Sequence, residues 1–355
     1  MAMTLKKKVL VIKEILPAYR CQLYDDIAQL SGCELTVVAE VADESFGTPD
    51  FNQFAFTFTK AQWRRFFMLK QDWVTTKLWS KHDVILHIGD FKFMSLWLCL
   101  LITKFTKKKI FLHGQGGYKR SGILSCLVYS VAVTLCDGYV CYAEYSRSAL
   151  FKKIPKFLHK KVSVCDNTLV IDPVESVLRK NDEAALFYIG RLRPSCGIEV
   201  LLNAAIEAKV KVEVIGLADP EYLNFLLNKF SSVARFYGSV YETKKQQEIA
   251  ARCFAGAYGG DAGLSIVHYM ALGLPVIVHK DMHKHMGPEP SYVEDGVNGL
   301  LFERNDVASL TTKIKQLTAN DELRYSMALS ALNTFKQLAS PSMGEKMIKI
   351  MRLVS

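Results

Sequence analysis

The stretch GGDAGLSIVHYMALGLPVIVH, from Gly259 to His279, decides the fold of the second half of the chain. It reads as a strand end, a glycine-bearing turn, a short helix that stops at Gly273, and the next strand. Backbone N–H groups at such a helix start, here those of Gly263, Leu264 and Ser265, commonly hold phosphate oxygens. The turn has no lysine and no P-loop spacing, so we predict a phosphate-bearing ligand held largely by main-chain groups.

Apolar strand-like runs alternate with helical patterns along both halves of the chain. Continuous apolar strands separated by helices indicate parallel sheets covered on both faces. We therefore predict an α/β protein with two Rossmann-like doubly wound domains facing a cleft, with ligands at the carboxyl ends of the strands. The predicted strand segments are residues 7–15, 34–41, 83–89, 108–114, 138–144 and 162–167, then 186–192, 210–217, 233–240, 254–260, 274–279 and 299–303.

The domain limits follow from length and from one polar break. A chain of 355 residues is comfortable for two domains. The pattern pauses at DPVESVLRKNDEAA (Asp172–Ala185) and then restarts. We predict an N-terminal domain over residues 1–175 and a C-terminal domain over 176–335, followed by a closing segment, 336–355. Two closing helices are expected, around 306–319 and 321–353.

Charge is concentrated in the first half. The net charge is +10, and residues 1–175 carry 24 basic against 16 acidic residues. Several basic clusters have aromatic or leucine neighbours, as in QWRRFFMLK (residues 62–70), and such segments can lie on an anionic membrane surface. A solvated surface without a partner is the alternative. We find no recognition helix, zinc module or RNA-binding signature, so nucleic acid is not an expected partner.

The spacing of the cysteines and the length of the apolar runs indicate the cellular compartment in which we expect the protein. The nine cysteines are scattered without CxxC spacing, which favours buried thiols in a reducing compartment. The N-terminal apolar run is short and contains Lys13 and Glu14, so we interpret it as a core strand rather than a signal peptide. FMSLWLCLLITKF (Phe93–Phe105) is too short to cross a membrane and is predicted to be a buried helix. We expect the protein in the cytoplasm, or attached to the inner face of the cytoplasmic membrane.

A second segment complements the opening stretch. In FYIGRLRPSCGIEVLLNAA (Phe187–Ala205) a strand ends at Gly190, and Arg191 and Arg193 follow in a loop before a helix that begins near Gly197. Gly190 lets the backbone approach a ligand closely. A guanidinium offers a planar fork of donors suited to phosphate. Alone this pattern also fits an arginine that pairs with a surface carboxylate.

Together these segments resemble the retaining, nucleotide-sugar-dependent glycosyltransferases of the GT-B fold, in particular glycosyltransferase family 4. The resemblance covers nearly the whole chain and is strongest in the second half. It is carried by YIGRLRPSCGIEVLLNA, FYGSV (Phe236–Val240), GLSIVHYMALGLPVIV and VEDGVNGLLFERND (Val293–Asp306), and more loosely by ILPAYRCQLYDDIAQL, HIGDF (His87–Phe91), FLHGQGGYKRSG and VCDNTL (Val164–Leu169).

The resemblance implies a nucleotide sugar bound as substrate by the C-terminal domain and an acceptor bound by the N-terminal domain. The donor diphosphate would meet Gly190, Arg191, Arg193 and the amides around Gly263, Leu264 and Ser265. The resemblance also implies that no metal or other cofactor is needed, and that the last helix packs back on the first domain.

Two departures from the family pattern concern the donor. A lysine that family members often carry before the first donor-domain helix is replaced here by Cys196. The two glutamates of the family, eight positions apart, fall on Gly260 and His268. His268 is either a ligand contact, to a ribose hydroxyl or to a phosphate, or a core histidine. Glu289 is a candidate to replace the missing carboxylate.

In the N-terminal half we assign an active-site role first to His113. It ends a strand beside glycines, and a family histidine in a comparable place lies near the reacting sugar. A histidine that merely caps a strand end is the alternative. Tyr19 and Arg20 follow the first strand and could contact an acceptor phosphate. Asp90 follows the third strand and could accept a proton from an acceptor hydroxyl.

The histidine-rich loop VHKDMHKHMGPEP (Val278–Pro290) raises the question of a metal. It contains His279, His283 and His285, but its sequence shows no second-shell partner. We expect the loop to shape the sugar pocket and predict no metal site.

The resulting hypothesis is a metal-independent, retaining glycosyltransferase. Its acceptor would be a glycan or a lipid-linked glycan, such as a growing bacterial surface polysaccharide. Two alternatives stay open: a non-catalytic protein that binds a nucleotide sugar or a glycan on the same fold, and a nucleotide-sugar epimerase of similar fold.

Overall fold

In a computed structural model of the protein, the structure describes residues 6–41, 49–66, 69–177 and 185–354. The chain divides into two compact units, one of Met1–Val170 with Pro341–Ser355 and one of Ile171–Ser340. Parts of three segments discussed above lie outside the described residues: the first five residues, Phe67 and Met68 of the basic stretch, and residues 178–184 of the polar break.

The first unit is built on a seven-stranded parallel sheet of order β3-β2-β1-β6-β7-β8-β9, with a separate antiparallel pair, β4 and β5. β1 is an interior strand of this sheet, and its apolar run, residues 9–12, is fully buried. The strands are β1 (Lys8–Leu16), β2 (Glu34–Val41), β3 (Thr57–Lys60), β4 (Arg64–Phe66), β5 (Leu69–Gln71), β6 (Val84–Ile88), β7 (Lys109–Gly114), β8 (Gly138–Cys141) and β9 (Val162–Val164).

Helices cover this sheet on both faces. The last helix of the chain packs against α1, and its methionines enter the core beside that helix. The helices of the first unit are α1 (Cys21–Ser31), α2 (Trp73–Leu78), α3 (Met94–Thr103), α4 (Ile123–Leu135), α5 (Glu144–Phe151) and α12 (Met343–Met351).

The second unit is a six-stranded parallel sheet of order β12-β11-β10-β13-β14-β15. This is the strand order of a doubly wound dinucleotide-binding sheet. Its strands are β10 (Ala185–Ile189), β11 (Lys211–Ile215), β12 (Ala234–Phe236), β13 (Cys253–Ala257), β14 (Val276–His279) and β15 (Gly299–Phe302). Its helices are α6 (Ile198–Ala208), α7 (Pro220–Phe230), α8 (Thr243–Ala250), α9 (Ser265–Ala271), α10 (Val307–Thr318) and α11 (Asp321–Ala339).

The predicted fold class, two Rossmann-like parallel sheets, is confirmed, and each of the twelve predicted strand segments contains a strand. The contacts place residues 171–175 and 336–340 with the second unit, whereas the limits predicted from the sequence are 175 and 335. In both units the winding direction reverses beside the first strand, between β1 and β6 and between β10 and β13. Ligands of such sheets bind outside the carboxyl ends of the strands at this point.

The prediction of one continuous helix over residues 321–353 is wrong. α11 ends at Ala339 and α12 begins at Met343, because Pro341 cannot continue a helix. Ser342 then starts the new helix with a capping box: its side chain accepts from the Glu345 amide, and the Glu345 carboxylate accepts from the Ser342 amide.

The prediction that Phe93–Phe105 forms a buried helix is wrong for one of its faces. α3 buries Leu96, Cys99 and Leu100 against the sheet but leaves Leu101 53% and Phe105 89% exposed. A mean apolar character does not distinguish a helix buried all round from one with an apolar outer face. No helix in the described part of the chain is long and apolar enough to cross a membrane.

Candidate functional site

The turn after β13 is packed against the loop before α6 through three glycines. A Cβ on Gly260 would lie 2.7 Å from both the Cys196 carbonyl carbon and the Gly197 nitrogen. A Cβ on Gly197, whose φ is +65°, would lie 2.3 Å from the Gly260 nitrogen. Only residues without a side chain allow this approach of two backbones. The position where the family pattern carries its first glutamate is therefore closed to any side chain in this structure.

The start of α9 is tied to the end of β10. The Ser265 hydroxyl donates a 2.7 Å hydrogen bond to the carbonyl oxygen of Ile189. A Cβ on Gly190 would lie 3.4 Å from that hydroxyl oxygen and 3.2 Å from the Tyr258 ring. The arginine loop and the helix start, which the sequence singled out separately, thus adjoin at the point where the winding of the sheet reverses.

The residues assigned to the donor phosphates lie in the two segments that meet at this junction, the loop after β10 and the start of α9. The Arg191 carbonyl accepts a 3.0 Å bond from the Tyr188 hydroxyl, which fixes the backbone of the loop. Arg193 is exposed, and its guanidinium lies 3.9 Å from the Met286 sulfur. The first turn of α9 opens with Ile266 N–H bonded to the Gly263 carbonyl. The amides that precede Ile266 therefore have no acceptor within the helix.

A clamp of polar side chains holds the glycine turn in place. Asp261 accepts two hydrogen bonds from Arg304, at 3.0 and 3.3 Å, and one from His279 Nε2 at 3.3 Å. The Ala262 amide donates to His285 Nδ1 at 3.1 Å. Bidentate pairing of a carboxylate with a guanidinium is strong and directional, so it orients the turn.

The same clamp explains the histidine-rich loop. His279 and His285 stack with ring centroids 3.7 Å apart. Each Nδ1 accepts a backbone amide, from Asp281 and Ala262 respectively, and each Nε2 donates to an oxygen. Their lone pairs are thus already used. In keeping with this, no cluster of potential metal ligands occurs in the described ranges of the chain.

Glu289 lies beside the glycine turn that precedes α9. It is buried in a short 3-10 turn, Glu289–Tyr292. Its Oε2 is 3.9 Å from the position that a Cβ on Gly263 would take, and Gly287 leaves the space that its carboxylate fills. A carboxylate therefore lies near Gly263, on the loop after β14.

His268 bonds to a partner within its own unit. Its Nε2 lies 2.9 Å from Gln246 Oε1, and the Gln246 amide nitrogen donates to the Val240 carbonyl at 2.6 Å. The amide orientation makes Nε2 the donor and leaves Nδ1 as an acceptor. Burial lowers the pKa of His268 to about 4, so the ring is neutral at neutral pH. A contact with a ribose hydroxyl fits this neutral state better than a contact with a phosphate, and the bond to Gln246 fits the other alternative, a core histidine.

In the first unit, His113 faces a lysine that sequence analysis did not single out for the site. Lys13 Nζ lies 3.2 Å from His113 Nδ1. A register shift of β1 between Ile12 and Ile15 places Lys13 at a bulge, a device that often re-aims a side chain near a functional site. His113 Nε2 is buried without a hydrogen-bond partner among the described residues.

The electrostatics of this pair are unusual. Burial and then the Arg20 guanidinium lower the pKa of Lys13 to about 7. Burial, followed by the charges of Lys13 and Arg20, holds the pKa of His113 well below its ordinary value. The Lys13 amino group can donate to Nδ1, and in that arrangement the imidazole carries its proton on Nε2, where it can donate to a ligand oxygen.

The remaining residues assigned to the acceptor side lie at the same edge of the first sheet. Arg20 donates to the Thr168 carbonyl at 2.9 Å and to the Asn167 side-chain oxygen, and its guanidinium lies over the Tyr19 ring. Asp90 is paired with Lys92 at 3.2 Å and lies 3.9 Å from Arg120. Asp90 is thus a half-buried carboxylate inside a basic group of side chains.

Comparison with solved structures identifies the fold as that of the GT-B glycosyltransferases. HepE of Anabaena, solved with UDP and glucose, has a TM-score of 0.69 at 16% identity over 98% of this chain and 100% of that one. A glycosyltransferase of Rickettsia africae has a TM-score of 0.73 at 14% identity over 98% of both chains. TarM of Staphylococcus aureus has a TM-score of 0.68 at 10% identity over 99% of this chain and 100% of that one. At such identities the likeness concerns the fold.

Residues 173–333 match the family model of the glycosyl transferases group 1, so the second unit contains a domain of that family. D-inositol 3-phosphate glycosyltransferase 2 of Catenulispora acidiphila is 29% identical over 40% of this chain and 37% of that protein. An uncharacterised glycosyltransferase of Methanocaldococcus jannaschii is 25% identical over 60% of this chain and 59% of that protein. The alignments therefore span less than two thirds of either curated relative.

Proposed function

We propose that the protein is a glycosyltransferase that moves a sugar from a nucleotide-sugar donor to a glycan or lipid-linked acceptor. The observation that carries the proposal is the hydrogen bond between Ser265 and Ile189, which joins the arginine loop to the start of α9. The group 1 domain and the GT-B fold support it. HepE, a neighbour in fold, was solved with UDP-glucose, and we extend a nucleoside diphosphate sugar to this chain by analogy.

In the proposed donor complex the diphosphate lies between Arg191, Arg193 and the amides of Gly263, Leu264 and Ser265. Two guanidinium groups and a helix start supply the positive field that a leaving diphosphate needs, so we propose that the reaction requires no metal. Glu289 takes the place of the carboxylate missing at position 260 and contacts the transferred sugar. His268 accepts a hydrogen bond from a ribose hydroxyl at Nδ1.

On the acceptor side, Tyr19 and Arg20 bind the acceptor, His113 lies near the reacting sugar, and Asp90 accepts the proton of the attacking hydroxyl. The rate enhancement comes from positioning and electrostatic stabilisation rather than from a covalent step. We propose retention of the anomeric configuration, as in glycosyltransferase family 4. A role in bacterial surface polysaccharide synthesis, on a lipid-linked acceptor at the inner face of the cytoplasmic membrane, fits the basic first half of the chain.

The direct test is a screen of UDP, GDP and CMP sugars with mass detection of hydrolysis and transfer products. We expect one donor to be consumed, with or without EDTA, and a product whose anomeric configuration matches the donor. Arg191→Ala should lose the activity, whereas Arg252→Ala, at an exposed position of the same unit, should keep it. The absence of turnover with every donor would contradict the proposed activity.

A second candidate function, a non-catalytic protein that binds a nucleotide sugar, is favoured by one observation. Gly260 is closed to a carboxylate by the backbone of Cys196 and Gly197. If Glu289 does not replace that group, the site binds a donor without transferring its sugar. Thermal stabilisation by a nucleotide without turnover in the same screen would favour this second function.

A further inference from the structure

The outer face of α3 is apolar and exposed. Leu98, Leu101, Ile102 and Phe105 are 36, 53, 46 and 89% exposed. Leu98, Leu101 and Ile102 lie on one side of α3, opposite its buried side, and Phe105 follows two residues after the helix ends. Burial of the inner face by the core therefore leaves a continuous aliphatic stripe that ends in an aromatic ring.

α4 repeats this arrangement. Ile123, Leu124, Leu127 and Val131 are 81, 75, 58 and 48% exposed, and they share about 100° of the helix circumference. α3 follows β6 and α4 follows β7, which are adjacent parallel strands, and the two helices contact each other. We call these eight side chains the α3–α4 face.

The residues around the α3–α4 face are mostly basic, and the exposed Asp137 lies just after the C-terminal end of α4. Between Asp90 and Asp137 the sequence has no acidic residue, but it has seven basic ones. Three more exposed lysines follow α5, in the segment next to the C-terminal end of α4. Lys161 of that segment donates to the Thr134 and Cys136 carbonyls at 2.8 and 2.7 Å. The exposed basic residues around the face are Lys104, Lys107, Lys109, Lys119, Arg120, Lys152, Lys156 and Lys160.

We propose that the α3–α4 face docks on an anionic lipid bilayer. Amphipathic helices with leucine and phenylalanine on one face and lysine around it lie in the headgroup region and bind in proportion to apolar area and negative lipid charge. A second copy of the chain is a poorer occupant, because two such faces would bring like charges together around their rims. An acidic protein partner is an alternative that the experiment separates.

The inference deepens the proposed function and rests on it in one respect, that the acceptor is carried on a lipid. Docking on the bilayer requires neither a bound donor nor the transfer reaction. Vesicle binding and nucleotide binding can therefore succeed or fail separately.

The experiment is flotation of the purified full-length protein with vesicles of phosphatidylcholine alone and with vesicles containing about a third phosphatidylglycerol. We expect binding to the anionic vesicles to be about tenfold stronger and to weaken as salt is added. The double variant Leu124→Gln/Leu127→Gln should lower that binding about tenfold. Lys104→Gln/Lys107→Gln should lower the preference for anionic vesicles.

Matched controls use exposed residues outside the face. Leu30→Gln/Ile206→Gln removes comparably exposed aliphatic side chains, and Lys244→Gln/Lys245→Gln removes two exposed lysines of the second unit. Both controls should bind vesicles like the wild type, and all variants should keep the melting shift given by whichever of UDP, GDP and CMP stabilises the wild type.

Three results would overturn the proposal. They are failure of the wild type to bind anionic vesicles, equal binding by the Leu124/Leu127 variant, and sedimentation of a dimer that this variant dissociates. The first would leave a protein partner as the occupant of the face, and the last would identify a second copy.

Discussion

The Ser265 hydroxyl is 2.7 Å from the Ile189 carbonyl oxygen, so the first residue of α9 is bonded to the last residue of β10. These residues are 76 positions apart in the chain. The bond crosses the point where the winding of the sheet reverses, which is where doubly wound sheets hold their ligands. It brings the two segments that the sequence offered as phosphate-binding into one site.

Removing this bond tests whether it orients the site. Ser265→Ala should lower the free energy of unfolding by about 1 kcal/mol, because the Ile189 carbonyl loses a partner. It should also weaken binding of the nucleotide that stabilises the wild type beyond that loss of stability, since the loop and the helix start are no longer coupled. Ser326→Ala, at an exposed position of α11, is the control and should change neither quantity. Unchanged affinity of Ser265→Ala for that nucleotide would mean that the bond does not shape the site.

The contact between Gly260 and Gly197 predicts a steric effect. Gly260→Ala places a Cβ 2.7 Å from two backbone atoms, so it should cost about 1–3 kcal/mol of stability in chemical denaturation. Gly263→Ala is the matched control within the same turn. There the nearest atom to an added Cβ is 3.6 Å away, and the cost should be about 1 kcal/mol or less. Equal stability of the two variants would show that the backbones have room to separate. Gly260→Glu should therefore not restore the carboxylate of the family pattern.

His268 predicts a pH dependence of stability. Its pKa is about 4 in the folded protein and 6.5 as the ordinary value, so the unfolded chain takes up the proton first. Its contribution to stability is present above pH 6.5 and is lost as the pH falls towards 4, by up to about 3 kcal/mol. His268→Gln should flatten the denaturation free energy over this window, and His283→Gln, at an exposed position, should not. A parallel slope in both variants would assign the acid sensitivity to other groups.

Lys13 predicts a pH dependence of stability in the same direction as His268, but at higher pH. Its pKa falls from 10.5 to about 7 on folding, so the folded state loses stability as the pH decreases from 10.5 to 7. Lys13→Met should reduce the slope of stability over this window and raise the pKa of His113, which the lysine charge lowers. NMR titration of the His113 ring measures the second effect. Lys60→Met is the exposed control. A His113 pKa unaltered by Lys13→Met would remove Lys13 from the site.

The sheets were predictable because their strands are nearly continuous apolar runs, as in β1, β10 and β14. The short strands β3, β4 and β5 were missed, since TFTK, RRF and LKQ mix polar and apolar residues. The break before α12 carried a readable signal, Pro341 followed by the capping box of Ser342 and Glu345, which a periodic helical pattern on either side obscured.

The site was predictable only where its residues are adjacent in sequence. The glycine turn and the arginine loop show local motifs. Lys13 and His113 are 100 positions apart, and no spacing reveals that a bulge in β1 directs the lysine to the histidine. The pairing of Arg304 with Asp261 is likewise a product of strand order. An arginine or histidine near the end of a strand indicates that a polar partner lies nearby. The order of the strands determines which residue that partner is.

The central claim is that Arg191 and the start of α9 hold the diphosphate of a donor, and nucleotide-dependent thermal stabilisation tests it most directly. Melting of the wild type, Arg191→Ala and the control Arg252→Ala would be measured with and without UDP, GDP and CMP. We predict that one nucleotide raises the melting temperature of the wild type and of Arg252→Ala and leaves that of Arg191→Ala unchanged. An equal rise in Arg191→Ala, or no rise in the wild type with any nucleotide, would contradict the claim.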